Sequence, residues 1–184
     1  MTPPLVLAST SPQRRAILEQ LRIPFEVVAP AYEEHDPPDA DPFVLVREHA
    51  RGKARSVHRP GRVTLGVDTT VHLDGRVYGK AADVADASRM LAELAGRTHA
   101  VLSGLCLVDD GGEVVEHAET LVGFRHLDAS EIERYVASGE WRGRAGAYAI
   151  QGLGGRLVER IEGDYLNVVG LPGALLVRLL AERR

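Results

Sequence analysis

Stretches with apolar residues at helical spacing alternate along this chain with short apolar runs that are typical of strands. The helical spacing predicts helices at 12–22, 42–57, 87–94, 128–136 and 172–182. The short runs predict strands at 5–8, 25–29, 63–67, 71–73, 76–78, 99–108, 113–124 and 156–161. Because helices and strands are mixed along the whole length, with hairpins in the middle, we expect an α/β or α+β fold around a mixed sheet.

Local signals set the ends of several of these elements. Ser11 is expected to cap the first helix, with Pro12 as its first residue. Asp128 and Glu131 have the spacing of a capping box. The pair Asp74-Gly75 between two strands predicts a hairpin.

Composition narrows the class of protein. With 45% apolar residues in 184, the chain can bury a core, and one domain over 1–184 is expected. The 26 acidic and 22 basic residues give a net charge of −4, whereas nucleic-acid-binding domains carry excess basic charge. An anionic ligand would therefore need a local cluster of basic groups, and no nucleic-acid partner is expected.

The single cysteine and the lack of long apolar runs address location and redox chemistry. Cys106 lies in an apolar run, so it is expected to be a core residue and not a reactive thiol. No apolar run approaches the roughly 20 residues that span a bilayer. The N-terminal sequence MTPPLVLAST lacks the pattern of a signal peptide, so a cytoplasmic location without membrane contact is expected.

The segment 9–15 has the residue types of an anion site. It places hydroxyl groups at the end of a strand and Arg14 and Arg15 in the first turn of a helix. Helix N-termini attract anions, and arginine can bind a phosphate with two hydrogen bonds. An ordinary capped helix with solvated arginines would give the same pattern.

Three carboxylates are candidate ligands for a divalent cation. Glu33 and Glu34 lie in the acidic, proline-rich loop 30–41, and Asp68 is expected directly after the strand 63–67. Carboxylate oxygens suit Mg²⁺ or Mn²⁺, and α/β proteins often bind ligands where strands end. The alternative for Glu33 and Glu34 is a solvated acidic loop without a metal. The alternative for Asp68 is a capping role in a turn.

The remaining candidates are two lysines and a glycine-rich segment. Lys53 lies beside the apolar stripe of its helix, where it either reaches solvent or contacts a phosphate at a cleft. Lys80 follows the hairpin and either faces the same cleft or is a surface residue. In 146–155, Gln151 offers a donor and an acceptor suited to the edge of a base. The seven histidines show no metal-ligand spacing.

Five motifs in order resemble one known family. They are SxSPxRR near the N-terminus, the Glu33-Glu34 pair, GxDT followed by a DG hairpin and GK, AGAYxIQG, and NVVGLP. The chain resembles the Maf family of nucleoside triphosphate pyrophosphatases over nearly its whole length. This resemblance implies an α/β fold with a mixed elongated sheet flanked by helices, and two lobes around a cleft, as in inosine triphosphate pyrophosphatases.

The resemblance also implies an activity and roles for individual residues. It implies cleavage of a nucleoside triphosphate between the α and β phosphates, a divalent cation (Mg²⁺ or Mn²⁺) and a homodimer. The catalytic residues would be Asp68, Lys53 and Lys80. The substrate-binding residues would be Ser9, Ser11, Gln13, Arg14, Thr69 and Gln151. The metal ligands would be Glu33 or Glu34, together with Asp68.

Base preference rests on three positions. Thr69 and Gln151 match the family branch specific for dTTP and UTP, whereas Gln13 resembles the 7-methyl-GTP branch. An amide matches the donor and acceptors of thymine or uracil, while a carboxylate suits a charged methylated guanine. We therefore expect hydrolysis of dTTP and UTP. The alternatives are a 7-methyl-GTP pyrophosphatase and a non-catalytic nucleotide sensor that regulates septum formation.

Overall fold

The computed structural model describes residues 4–37 and 40–183. Within them the strands are β1 Leu5–Ala8, β2 Phe25–Val27, β3 Thr64–Leu73, β4 Arg76–Tyr78, β5 Thr98–Asp109, β6 Gly112–Phe124 and β7 Val158–Glu162. The helices are α1 Pro12–Gln20, α2 Pro42–Val57, α3 Val84–Leu94, α4 Ala129–Ala137, α5 Tyr165–Val169 and α6 Gly173–Glu182, with a short 3-10 helix at Leu153–Arg156. The expected loop 30–41 contains neither helix nor strand at its described positions, and its residues 38 and 39 lie outside the described ranges, as do 1–3.

The strands form one mixed sheet in the order β2-β1-β3-β5-β6-β7, with β4 paired to β3. Strand β1 is parallel to both β2 and β3, whereas β4 and β7 are antiparallel to β3 and β6. The predicted α/β fold with a mixed sheet flanked by helices is therefore confirmed. None of the described helices is long and apolar enough to cross a bilayer.

Several predicted ends of elements are confirmed in detail. Ser11 caps α1 and Pro12 is its first residue. Both hydrogen bonds of the capping box between Asp128 and Glu131 are present at the start of α4. The turn residues 74 and 75 have φ of 50° and 78°, as the hairpin requires.

One expectation about Asp68 is wrong, because this residue lies inside β3 and not directly after the strand. The strand continues through residues 69–71, which are Thr, Thr and Val and favour extended backbone. The parallel ladder between β1 and β3 nevertheless ends where Ala8 faces Gly66. Asp68 therefore lies two residues past the carboxyl end of β1, close to the position that the sequence predicts for a ligand-binding carboxylate. The sequence also missed α5.

Contacts divide the chain into two compact units, which we describe separately. The first contains the described residues of 1–69, 102–118 and 170–184, and the second contains 70–101 and 119–169. Strands β3, β5 and β6 contribute residues to both. In the first unit, Ala50 and Ala54 of α2 pack against Cys106 and Val108 of β5. Burial raises the pKa of the Cys106 thiol to about 12, as expected for an inert core residue.

Two glycines let the backbone of α2 approach the sheet in this first unit. A Cβ atom on Gly66 of β3 would lie 2.0 Å from the carbonyl oxygen of Ala50. A Cβ atom on Gly104 of β5 would lie 1.9 Å from the carbonyl oxygen of Val46. Any side chain at either position would therefore push α2 off the sheet.

The core of the second unit is formed by the apolar faces of α3 and α4 and by the strands next to them. It contains one buried histidine, His99, which is 1% exposed and contacts the hydroxyl of Tyr148 at 2.9 Å through Nε2. Burial lowers the pKa of His99 to about 4, so its imidazole is neutral at physiological pH.

Candidate active site

The junction of β1 and α1 carries an arginine that is hydrogen-bonded on three sides. Arg14 donates from Nε to the carbonyl oxygen of Gly170 at 3.0 Å, from Nη1 to Ser9 Oγ at 3.1 Å and from Nη2 to Thr69 Oγ1 at 3.3 Å. Three of its five N–H groups are thus used, which leaves one on each terminal nitrogen for a ligand. Burial lowers the pKa of the Arg14 guanidinium, and the carboxylates of Asp68 and Glu34 oppose that shift.

The other side chains of the segment 9–15 serve the start of the helix. The hydroxyl of Ser11 accepts from the backbone N–H of Arg14 at 3.5 Å and donates to Gln13 Oε1 at 3.1 Å. The amide of Gln13 is therefore engaged in the cap. Arg15 is exposed on α1, where its backbone N–H donates to the carbonyl oxygen of Ser11 at 3.3 Å. Its side chain makes no hydrogen bond or ion pair with any residue the structure describes.

A cluster of three charged side chains lies where α2 faces β3. The Lys53 ammonium contacts Glu34 Oε1 at 2.5 Å and Asp68 Oδ1 at 2.6 Å. The side chains of Lys53 and Asp68 are only 10% and 14% exposed, whereas that of Glu34 is 43% exposed. The predicted position of Lys53 beside the apolar stripe is confirmed, since it is a buried residue of α2. The lysine is anchored by two carboxylates and does not extend into solvent.

This cluster suits a hard divalent cation. Glu34 and Asp68 each contact the same ammonium, so their carboxylates are held close together, and each keeps oxygen atoms that Lys53 does not occupy. Mg²⁺ is commonly held by one or two carboxylates together with substrate phosphates. Glu33 is exposed and makes no hydrogen bond or ion pair with the described residues, and these residues contain no group of three or more metal-ligating side chains.

Thr69 connects the strand to the arginine. Its hydroxyl contacts Ser103 Oγ at 2.8 Å and the carbonyl oxygen of Gly170 at 3.3 Å, besides Arg14. Successive residues of a strand point to opposite faces of the sheet, so Asp68 meets α2 while Thr69 meets Arg14. Two neighbouring residues of β3 thus contribute to two separate groups of polar side chains.

In the second unit, the backbone around Lys80 contacts the start of the glycine-rich segment that carries Gln151. Lys80 is exposed and its backbone forms a bridge with Ala145. The next residue, Gly146, donates its N–H to the carbonyl oxygens of Tyr78 and Gly79 at 3.0 and 3.1 Å. Gln151 is exposed, and no described residue forms a hydrogen bond with its side chain.

The loop that carries Gln151 is held by a residue that the sequence analysis missed. Glu140, after α4, accepts the N–H groups of Leu153 and Gly154 at 3.0 Å each, and the hydroxyl of Tyr135 at 3.1 Å. A Cβ atom on Gly152 would lie 2.1 Å from Glu140 Oε1, so a side chain there would displace the Glu140 carboxylate. No local spacing signals this contact, because Glu140 and the loop are separated by a glycine-rich turn.

These features define a class of protein: an α/β protein with paired carboxylates, a lysine and an arginine near the carboxyl end of a parallel strand. A model of the family described as Maf-like protein matches residues 4–183. A dTTP/UTP pyrophosphatase of Symbiobacterium thermophilum is 47% identical over 180 residues, which are 97% of this chain and 93% of the relative. The dTTP/UTP pyrophosphatase of Gloeobacter violaceus is 48% identical over 184 residues, which are 99% of this chain and 97% of the relative. The dTTP/UTP pyrophosphatase of Thermococcus gammatolerans is 46% identical over 176 residues, which are 95% of this chain and 94% of the relative. The chain belongs to the Maf-like protein family.

Proposed function

We propose that this chain is a nucleoside triphosphate pyrophosphatase that hydrolyses dTTP and UTP to the nucleoside monophosphate and pyrophosphate. The observation that carries the proposal is the cluster of Glu34, Lys53 and Asp68, in a chain similar over nearly its full length to proteins named dTTP/UTP pyrophosphatases. In this cluster, the carboxylate of Asp68 can accept a proton, and the ammonium of Lys53 can face a phosphate.

The reaction requires a water molecule to attack the α-phosphorus in line with the bond to the leaving group. Asp68 orients this water and accepts its proton as the new P–O bond forms. The bond from the α-phosphorus to the bridging oxygen breaks, and pyrophosphate leaves with the bonding electrons. Lys53 is already bound to Asp68, so it fixes the direction of the carboxylate that receives the proton.

Positive charge offsets the charge that develops on the phosphates. Arg14 has two unused N–H groups, and its other three are bound to protein oxygens that fix its plane. We assign it, with Lys53 and Lys80, to the triphosphate. Ser9 and Thr69 hold Arg14, whereas Ser11 and Gln13 shape the start of α1 next to it.

A divalent cation, Mg²⁺ or Mn²⁺, is part of the proposal. Glu34 and Asp68 would hold it through the oxygen atoms that Lys53 leaves open, with Glu33 as the neighbouring carboxylate of the same loop. When bound, such a cation supplies charge neutralisation at the phosphate oxygens.

Base recognition is assigned to Gln151. A side-chain amide offers one donor and one acceptor, which match a carbonyl and the N3–H of thymine or uracil. The exposed amide, on a loop that Glu140 holds, supports this assignment. The proposal further includes one domain over 1–184, a homodimer and a cytoplasmic location, all taken from the family resemblance and the sequence.

The test is pyrophosphate release from a panel of dTTP, UTP and 7-methyl-GTP, measured for the wild type, Asp68→Asn and Asp110→Asn. Removing the proton acceptor is expected to lower kcat by about 100-fold or more. Among the described residues, Asp110 accepts only the N–H of Gly61, at an exposed turn, so Asp110→Asn is the matched control and should keep full activity. Undiminished turnover by Asp68→Asn would reject the mechanism.

The panel also separates the alternatives. A wild type that prefers 7-methyl-GTP would belong to the other branch that Gln13 resembles. A wild type that binds a nucleotide without releasing pyrophosphate would be a sensor of nucleotides and not an enzyme.

A further inference from the structure

The acidic loop runs along one face of α2, in the direction opposite to the helix. Its contacts follow in order: Ala31 N–H to Ser56 Oγ at 3.2 Å, Glu34 Oε1 to Lys53 Nζ at 2.5 Å, and Asp36 Oδ1 to His49 Nε2 at 2.7 Å. Residues three or four apart lie on the same face of a helix, so these three helix positions form one row. Glu34 therefore reaches the lysine only while the segment 31–36 keeps this alignment.

His49 binds the loop on both sides of Glu34. Its Nε2 contacts Asp36, and its Nδ1 contacts the hydroxyl of Tyr32 at 3.0 Å. A carboxylate can only accept, so Nε2 carries the proton, and in the neutral ring Nδ1 then accepts from Tyr32. Burial, followed by the charge of Glu34, raises the pKa of the Tyr32 phenol, so this hydroxyl keeps the proton it donates. His49 is 4% exposed, and both of its ring nitrogens are hydrogen-bonded to the loop.

Gly52 provides the space that this contact needs. It lies between His49 and Lys53 on α2, and a Cβ atom there would lie 2.2 Å from Cε2 of the Tyr32 ring. The ring therefore rests directly on the helix backbone, one residue away from the lysine. A glycine inside a helix costs stability relative to alanine, so its presence here calls for a reason such as this close approach.

We propose that Tyr32, His49 and Gly52 form a clamp that holds the acidic loop on α2 and keeps Glu34 at Lys53 during the reaction. This inference rests on the proposed function, and it assigns the three residues as positioning residues. None of them is assigned to the substrate, and each acts through the position of Glu34.

Gly52→Ala separates this role from a contribution to stability alone. Alanine favours the helix, so the variant should unfold at a temperature no lower than that of the wild type, provided that the loop can move aside. The added methyl group displaces the Tyr32 ring, and Glu34 moves away from the lysine with it. Glu34 and Asp68 share the Lys53 ammonium, and a small misplacement within such a cluster lowers the rate strongly, so kcat for dTTP should fall by about 10- to 100-fold. KM should change by less than about threefold, because the groups assigned to bind the triphosphate stay in place.

The experiment combines steady-state kinetics with amide hydrogen exchange of the segment 31–36. Exchange of this segment should become faster in Gly52→Ala and in Tyr32→Phe, which keeps the ring but loses the hydroxyl. Gly123→Ala is the matched control, because a Cβ atom there meets its nearest neighbour at an ordinary 3.5 Å. The double variant Tyr32→Ala/Gly52→Ala should be no slower than Tyr32→Ala alone, since the methyl group then has no ring to displace.

The outcomes are distinct for the clamp and for the proposed function. Full kcat in Gly52→Ala, or unchanged exchange of 31–36, would overturn the clamp. A loss of kcat that appears only together with a lower unfolding temperature would also overturn it, because stability would then explain the result. A wild type that releases no pyrophosphate from dTTP or UTP would refute the proposed function instead, and faster exchange of 31–36 in Gly52→Ala would still support the clamp.

Discussion

Replacing Lys53 with methionine removes the positive charge from the Glu34–Lys53–Asp68 cluster and keeps a side chain of similar length. The Lys53 ammonium now lies 2.5 Å from a carboxylate oxygen of Glu34 and 2.6 Å from one of Asp68. In the variant, these two carboxylates would face each other with no positive charge between them. The Asp68 side chain is 14% exposed, so water can replace only part of the lost interaction.

The two ion pairs contribute unequally to the expected loss. Breaking a buried pair by removing one partner costs about 3–5 kcal/mol, whereas an exposed pair is worth about 0–1 kcal/mol. Asp68 belongs to the first case, and Glu34, at 43% exposure, belongs to the second. We therefore expect the free energy of unfolding of Lys53→Met to fall by about 3 kcal/mol. For a domain of this size, this corresponds to a decrease of about 6–12 °C in Tm.

Urea unfolding followed by circular dichroism measures this loss. The chain contains only one other lysine, Lys80, which is exposed, so Lys80→Met is the matched control and should change the free energy by less than about 0.5 kcal/mol. A loss below about 1 kcal/mol in Lys53→Met, or equal losses in both variants, would refute the reasoning. The carboxylates would then be hydrated, and Lys53 would not be neutralising buried charge.

Two further predictions concern base preference and acid stability. Gln151→Glu should lower the turnover of dTTP more than that of 7-methyl-GTP, because a carboxylate lacks the donor that a pyrimidine carbonyl needs; the opposite order in a pyrophosphate-release assay would contradict the assignment of Gln151. His99 has a pKa of about 4 in the folded chain and 6.5 as a free group, so the unfolded chain binds the extra proton between these values and stability falls as pH decreases through this range. This one group should cost about 2 kcal/mol at pH 5 relative to pH 7. Urea titrations of His99→Gln should show a shallower pH dependence than those of the wild type, and an unchanged slope would show that His99 is not the source.

The sequence predicted the elements whose signals are local. Ser11 and Pro12 mark the start of a helix by their own chemistry, and the Asp74-Gly75 pair fits only a tight hairpin. The helical spacing of α2 also identified Lys53 as a charge within an apolar stripe, and the structure places it in the charged cluster.

The contacts that no local pattern encodes were missed. Asp68 was expected directly after its strand. The pairing of β3 with β1 does end at Gly66, but β3 continues and pairs with β4 further along, which the sequence around Asp68 does not reveal. His49 was overlooked because its partners, Tyr32 and Asp36, lie in an irregular loop without periodicity. His49 could have been identified from its spacing, because it lies four residues before Lys53 and therefore on the same face of the helix. The site residues themselves, and the single-domain organisation, stay predictions.

The close approach of α2 to Gly66 and Gly104 limits how the length of this chain can change. Both glycines meet carbonyl oxygens of the helix, one turn apart, so the helix can neither slide along the sheet nor rotate on it. One residue inserted between Ala50 and Lys53 would turn every later side chain by about 100° and carry the lysine away from Asp68. Insertions should therefore be tolerated after the helix, in residues 58–62, and rejected within residues 50–53 even where the inserted residue is a good helix former.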